Sequence, residues 1–522
     1  MKKILLASAV VLMSAGAAQA GANVYASALK SADGKVQFVL NDAATSVVFN
    51  LIKDGEIIES VELGEGVKGL NTIEVPALAS DPGMYEWSLT VSAPAVTEVT
   101  QLTDGTQENI QIGCGKGVAV DNNPTSPYFG NVYVSAPGKA SYNGARTGVG
   151  VFAFNAALET INEEPYQGGI GWKTSPSSPN SITVDKSGDL FICDWSDNHP
   201  GVWIMNPGAP ETFAPVFADG TMASSGLVTI NGAKVHGSIQ DCAVYGSGAN
   251  RVLYTTDEDL NSNNGEIFVY NIGELATPWD KAPSAAWGNC DGKMANANQR
   301  LASDGRGGLW VSQYRWQEDA SVPCVMHCNS EGVWDFTTGD KSIFLGSTPI
   351  GAMGVNGDGS LVAVAGSDDG RSFTVAHASY DDTGLPSLSE YCKNIPFGNY
   401  GKRPFNVAFD AADNLYIQFN DNGTTGGLGV WALPKEKNEF TTPALEAVEV
   451  GGSGIQTGLH ADKIGVSAIA YAGNTLSAAG AELEVYNIAG MKVAEGYRVD
   501  TTTLPAGIYV VRSGANTLKI RK

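Results

Sequence analysis

The chain has 522 residues, of which 43% are hydrophobic and 17% charged, long enough for a large core with satellite domains at about 100–200 residues per domain. Its formal net charge of −23 repels phosphate backbones and anionic lipid, which excludes nucleic acid and acidic membrane surfaces as partners. Seven cysteines are an odd number for an exported chain, so at least one has no partner within a monomer.

Residues 1–20 carry Lys2 and Lys3, an apolar run from Ile4 to Met13, and Ala18-Gln19-Ala20 before Gly21. This is the pattern of a secretory signal peptide, too short to span a membrane. No cysteine follows the cut, which argues against a lipid anchor, and no later segment is long and apolar enough for a transmembrane helix. The expected address is secreted or at the outer cell surface, with the periplasm as the alternative, in a Gram-negative bacterium. Loss of the two lysines leaves a net charge of −25.

Residues 21–94 read as a small β domain. Val36, Phe38 and Leu40 alternate with Gln37 and Asn41, and Val47, Phe49 and Leu51 with Val48 and Asn50, which is the period of strands with one buried face. Asp54-Gly55 marks a hairpin turn, and Asp81-Pro-Gly83-Met-Tyr85-Glu-Trp87 leads into a last strand. The stretch resembles the immunoglobulin-like domain of flagellar hook-capping proteins. That resemblance implies a packing or spacer module without chemistry of its own. Ser92-Ala-Pro-Ala-Val-Thr97 reads as a linker, and Val96–Leu102 as a strand that could close the next domain from its N-terminal side.

The segment 95–450 repeats one unit six times. Its first half appears as Val118-Ala-Val-Asp121, Ile182-Thr-Val-Asp185, Cys242-Ala-Val-Tyr245, Leu301-Ala-Ser-Asp304, Met353-Gly-Val-Asn356 and Val407-Ala-Phe-Asp410. An apolar residue, a small residue and usually another apolar one precede each anchor, which suits a strand covered on both faces and nearly touching its neighbour. A Gly/Asp/Asn-rich turn and a second strand follow, for example Asp189-Leu-Phe-Ile192 and Asn414-Leu-Tyr-Ile417, then a variable loop and a third strand. Radial repetition of such antiparallel units predicts an all-β fold, a six-bladed β-propeller flanked by two small immunoglobulin-like β-sandwich domains. From about 112 to 440 the units resemble NHL-type repeats in their apolar-Ala-apolar-Asp and Gly-x-Leu-Tyr-Val order. That likeness brings no catalytic residues with it.

Residues 464–522 contain Glu482-Leu-Glu-Val-Tyr486-Asn-Ile-Ala-Gly490, Leu504-Pro-Ala-Gly507-Ile-Tyr509 and the basic end Leu518-Lys-Ile-Arg-Lys522. Together these resemble the C-terminal sorting domain of the type IX secretion system. The resemblance implies recognition by secretion machinery at the outer membrane; the competing reading is a structural tail.

Signals for chemistry are sparse. Gly113-Cys-Gly-Lys116-Gly fails as a phosphate loop, because Ile110 replaces the first glycine and no Ser or Thr follows the lysine. Cys324 and Cys328, about 13 Å apart on one face of a strand, read as buried packing residues rather than a disulfide or metal pair. Asp257-Glu-Asp259-Leu-Asn261 alternates oxygen ligands as a calcium loop does, so Asp257, Asp259 and Asn261 are the candidate metal ligands. However, Ser262 replaces the turn glycine and Phe268 the closing carboxylate, which favours a solvated loop. Calcium is the one cofactor to which the sequence points.

In a four-stranded meander, the loop after the second strand and the approach to the first strand lie at the same end. One face therefore gathers Asn180, Trp195, Gln240, Arg300, Trp316 and Arg403, whose aromatic, amide and guanidinium groups suit a sugar ring or a carboxylate. The competing reading is that Arg300 and Arg403 bridge acidic loops. The function expected is that of a non-catalytic binding protein for an extracellular glycan or protein. Its alternative is a calcium-dependent lactonase or lyase with carboxylates at the channel mouth; fold alone does not separate the two.

Overall fold

The computed structural model describes residues 21–137, 146–173, 175–260, 265–292, 294, 299–313, 324–337, 343–344, 350–366, 372–401, 403–420, 426–451, 454–456, 469–472, 475–478, 483–487, 491–496, 498–505, 507–513 and 516–521. The fold is nearly all β, with no α-helix among the described residues. None of the described residues form a helix long and apolar enough to cross a membrane. The leader pattern of residues 1–20 lies outside the described residues, as do Asn261 and Trp316.

Each repeat unit forms an antiparallel sheet. In chain order these sheets begin with Val118–Val120, Ile182–Val184, Ile239–Tyr245, Gln299–Ser303, Ile350–Val355 and Pro404–Phe409. We refer to them as the first to the sixth sheet. In the second sheet, Ile182–Val184 pairs with Leu190–Asp194, which pairs with Gly201–Met205 and then Ala214–Pro215. The outer strand of the sixth sheet comes from the other end of the chain: Thr100–Gln101 pairs with Gly427–Ala432, and Val96 bridges to Lys435.

Alternation explains how the sheets stack. Leu190 and Ile192 pack with Tyr133 and Val151 of the first sheet, whereas Phe191 and Cys193 pack with Leu253 and Phe268 of the third. Because successive side chains point to opposite faces, one strand serves two apolar layers. The same sharing continues from third to fourth, fourth to fifth and fifth to sixth sheet. It returns to the start where Tyr416, Leu428 and Val430 of the sixth sheet meet Val118, Val132 and Phe152 of the first. The stacking is cyclic, a propeller-type arrangement in which each of the six sheets shares an apolar layer with the one before it and the one after it.

The repeat anchors hold the turns between first and second strands. Oδ1 of Asp185 accepts the N–H groups of Ser187 and Asp189 at 2.8 and 3.1 Å; Asp304 does so for Arg306 and Gly308, and Asp410 for Ala412 and Asn414. The second oxygen meets a side chain: Arg251 Nε reaches Asp185 at 2.8 Å, His327 Nε2 reaches Asp304 at 3.1 Å, and Tyr416 OH reaches Asp410 at 3.1 Å. These buried carboxylates are saturated by structural partners. They stand in the turns that join first to second strands, at the end of each sheet opposite its entry. All seven cysteines are buried and none is in a disulfide, and the side chains of Cys193 and Cys242 hydrogen-bond each other between the second and third sheets.

At the N-terminal end, Ala26–Ala32, Lys35–Leu40 and Gly69–Glu74 form one sheet. It packs on Ala44–Lys53, Glu56–Gly66 and Gly83–Ser92 through Val36, Phe38, Phe49 and Trp87. Asp54 and Gly55 both have positive φ, 54° and 81°, the requirement of a two-residue I′ hairpin. One boundary differs from expectation. Glu439–Pro443, Val448–Gly451 and Gly454–Gln456 extend this second sheet, with Glu439–Pro443 and Val448–Gly451 both pairing with Gly83–Ser92. Val448, Val450 and Ile455 enter its core, so residues placed at the end of the 95–450 segment belong to the N-terminal sheets. From Ile469 onward, two small sheets enclose a separate core of Leu476, Val485, Val499, Tyr509 and Val511.

Candidate functional site

A channel runs along the innermost strands of the six sheets. Its cavity of about 160 Å³ extends from the turns at Asn122, Lys186, Gly305 and Gly357 to Asp241 and Asn406. At the Asp241 end the channel is spanned by polar side chains. Asn406 Nδ2 of the sixth sheet donates to Ser181 Oγ of the second at 2.9 Å, and Arg300 Nε of the fourth donates to the Phe405 carbonyl of the sixth at 3.1 Å. Neither pair of sheets is adjacent around the ring. Asp241, fully buried, accepts the Leu301 N–H at 2.9 Å; burial raises its carboxyl pKa, while the nearby Arg300 guanidinium acts the other way.

Of the residues expected on this face, Asn180, Gln240 and Arg300 are buried at the plug, and Asn180 Nδ2 donates to the Gln240 carbonyl at 2.6 Å. Arg403 is exposed on the approach to the sixth sheet, and its carbonyl accepts the Asn420 N–H at 2.9 Å. Trp195 is half-buried farther out, where its Nε1 donates to Glu258 Oε2 at 2.6 Å. The side chains of Arg300 and Phe405 meet, with the guanidinium carbon 5.8 Å from the ring centroid. Trp195 engages Glu258 between the second and third sheets instead. Among the described residues neither Arg300 nor Arg403 lies within ion-pair distance of a carboxylate. Arg300 Nη1 is buried without a hydrogen-bond partner, as are Asn180 Oδ1 and Gln418 Oε1.

The acidic loop serves the backbone. Asp257 Oδ2 accepts the Gly237 N–H at 2.5 Å and Oδ1 accepts those of Asp259 and Leu260, both at 2.9 Å. Asp259 Oδ2 accepts the Ser238 N–H at 3.0 Å. Their oxygens are turned to amides rather than to a common centre, and burial pushes the Asp257 carboxyl up to about 7. Among the described residues no three His, Cys, Asp or Glu side chains converge as a metal site would require.

Two participants escaped the residue patterns. Phe405 is half-buried at the mouth. Lys116, only 7% exposed, places Nζ 4.0 Å from the centroid of that same ring. The register of the repeat contains the missed signal: Lys116, Asn180, Gln240 and Phe405 each stand five residues before their anchors Asp121, Asp185, Tyr245 and Asp410. Asn180 and Gln240 meet there, as do Lys116 and Phe405. A third feature lies toward the rim, where His199 Nδ1 meets buried Asp194 Oδ2 at 2.9 Å while its ring stacks on Trp203 at 4.9 Å. Asp194 also accepts from Ser178 and Ser196, and burial raises its pKa despite these partners.

No protein-family model matches the chain, and no curated protein matches it. Among solved structures, it is similar to a structural-genomics protein of unknown function from Bacteroides thetaiotaomicron, at 12% identity and a TM-score of 0.38, over 77% of this chain and 94% of that one. It is also similar to a gluconolactonase from Xanthomonas campestris, at 15% identity and a TM-score of 0.34, over 66% of this chain and 98% of that one. The calcium-binding protein regucalcin from Agrobacterium tumefaciens gives 13% identity and a TM-score of 0.34, over 70% of this chain and 98% of that one. At such identities and scores, no activity passes from these proteins to this chain.

Proposed function

We propose that this chain is an exported binding protein, displayed at the surface of a Gram-negative cell. In this reading the six sheets are the six blades of a propeller, flanked by two immunoglobulin-like domains. One propeller face captures, without transforming it, a glycan or protein segment that presents an acidic group. Residues 1–20 direct export and residues 464–522 address the outer-membrane secretion machinery.

The observation that carries the reading is Arg300. The residue is 8% exposed, Nη1 has no hydrogen-bond partner, and the half-buried ring of Phe405 lies beside it. A buried donor without an acceptor costs about 1–3 kcal/mol, more when charged, and an anionic ligand group would remove that deficit. Arg403, exposed on the same approach, adds a second guanidinium able to hold an oxyanion bidentately.

The test is a screen of acidic and neutral glycans and acidic peptides against the full chain and an Arg300→Ala/Arg403→Ala variant. Charge-assisted hydrogen bonds are worth about 1.5–3 kcal/mol each, so capture of acidic ligands should weaken by at least about tenfold while the melting temperature changes little. A variant that unfolds readily yet keeps an unchanged binding profile would show the arginines to be structural bridges.

A further inference from the structure

Lys116 is a cation in an unusual setting. It sits between Gly115 and Gly117 at the entry to the first sheet, 7% exposed, and makes no ion pair among the described residues. Its Nζ lies over the Phe405 ring, which it shares with Arg300. The charged and titratable groups that bear on it are Arg300 and Arg403, both repelling, and the thiol of Cys114, which favours the charged form. The carboxyl of Asp241 feels the Arg300 guanidinium and is not among the groups that act most on Lys116.

We propose that Lys116 is a third ligand-binding cation of this site, that the group it meets is a small oxyanion such as a carboxylate or sulfate, and that capture of that group carries a proton into the protein. The inference rests on the anion-binding reading above and deepens it. Burial first, and Arg300 second, lower the Lys116 pKa to about 7, so above that pH the empty site holds a neutral amine. An oxyanion entering between Lys116 and Arg300 supplies the missing counter-charge and favours the ammonium. The amine nitrogen then takes one proton from solvent, forming one N–H bond and releasing the conjugate base of the buffer. By linkage, the anion's affinity is greatest below the empty-site pKa and falls by about tenfold per pH unit as pH rises above it, until the bound-state pKa is reached.

Sodium sulfate is a suitable probe, because it does not itself titrate near neutrality. Calorimetric titrations of the full chain at pH 8 in two cationic buffers of different ionisation enthalpy should give apparent binding enthalpies that differ by close to one proton's worth. The same pair of titrations at pH 6 should agree. Lys116→Arg, whose guanidinium keeps its charge, should show no buffer dependence at either pH. Sulfate binding that is lost in Arg300→Ala but is independent of buffer and pH in the unmodified chain overturns the proton linkage and leaves the anion site standing. No sulfate binding by the unmodified chain at pH 6 overturns both. The unmodified chain alone decides the matter if the Lys116 variant fails to fold.

Discussion

Replacing Gly354 by alanine sets two effects of opposite sign against each other. Gly354 lies within Ile350–Val355, the innermost strand of the fifth sheet, and has no positive φ. With free space around it, the substitution would stabilise by about 0.4–1 kcal/mol, since alanine has fewer unfolded conformations to lose. Space is what the ring denies: a Cβ at this position would lie 2.4 Å from the Val407 carbonyl oxygen and 2.8 Å from its carbon. Both atoms belong to the backbone of the sixth sheet, which is itself paired in register with Leu415–Phe419, so no side chain can rotate away. Overpacking of this kind costs about 1–3 kcal/mol. The net expectation is a loss of about 1–2 kcal/mol, read as a fall of roughly a few tenths molar in the urea midpoint of the tryptophan-monitored transition. Gly288→Ala is the control, because no atom lies within 4 Å of its added Cβ, and it should be neutral or slightly stabilising. If Gly354→Ala raised the midpoint as the control does, close contact of innermost strands would not be what constrains residue size in the repeat.

Removing the strands of 439–456 should unfold the N-terminal sheets while leaving a propeller transition in place, because Val448, Val450 and Ile455 would vacate their shared core; protease digestion that still yields an intact fragment of residues 21–94 would refute this. Deleting 464–522 should leave the protein in the periplasm, as followed by surface labelling of intact cells, whereas continued display would make the tail a structural domain only.

The repeat was legible because its physics is local. The apolar-small-apolar-Asp order encodes a strand covered on both faces, followed by a turn whose amides need an acceptor, and Asp185, Asp304 and Asp410 fill that need. The pairing of Glu439–Pro443 with Gly83–Ser92 was not legible. Alternation shows that a strand has a buried face but not which distant edge receives it. Site residues divide along the same line. The sequence places Arg300 on the approach to a first strand, while the unsatisfied Nη1 that makes it informative exists only in three dimensions. Lys116 fails the phosphate-loop pattern, and only its repeat register, five residues before Asp121, relates it to Asn180, Gln240 and Phe405. The three short strands Thr221–Met222, Val228–Ile230 and Ala233–His236, an additional sheet between the second and third, carried no repeat signal at all.

The return of residues 439–456 to the N-terminal sheets also fixes an order of events during biogenesis. The N-terminal sheets are synthesised before the six sheets of the ring but completed after them, since Gly83–Ser92 must wait for strands encoded more than 340 residues later. Until then one side of that strand is an unpaired ladder of amides and carbonyls, a template for mispairing with other chains. A chain threaded unfolded through a membrane from its N-terminus would carry this open edge across first and seal it only when the propeller has already emerged. The last strands thus act as a latch, joining the two ends of the segment from residue 21 to residue 456.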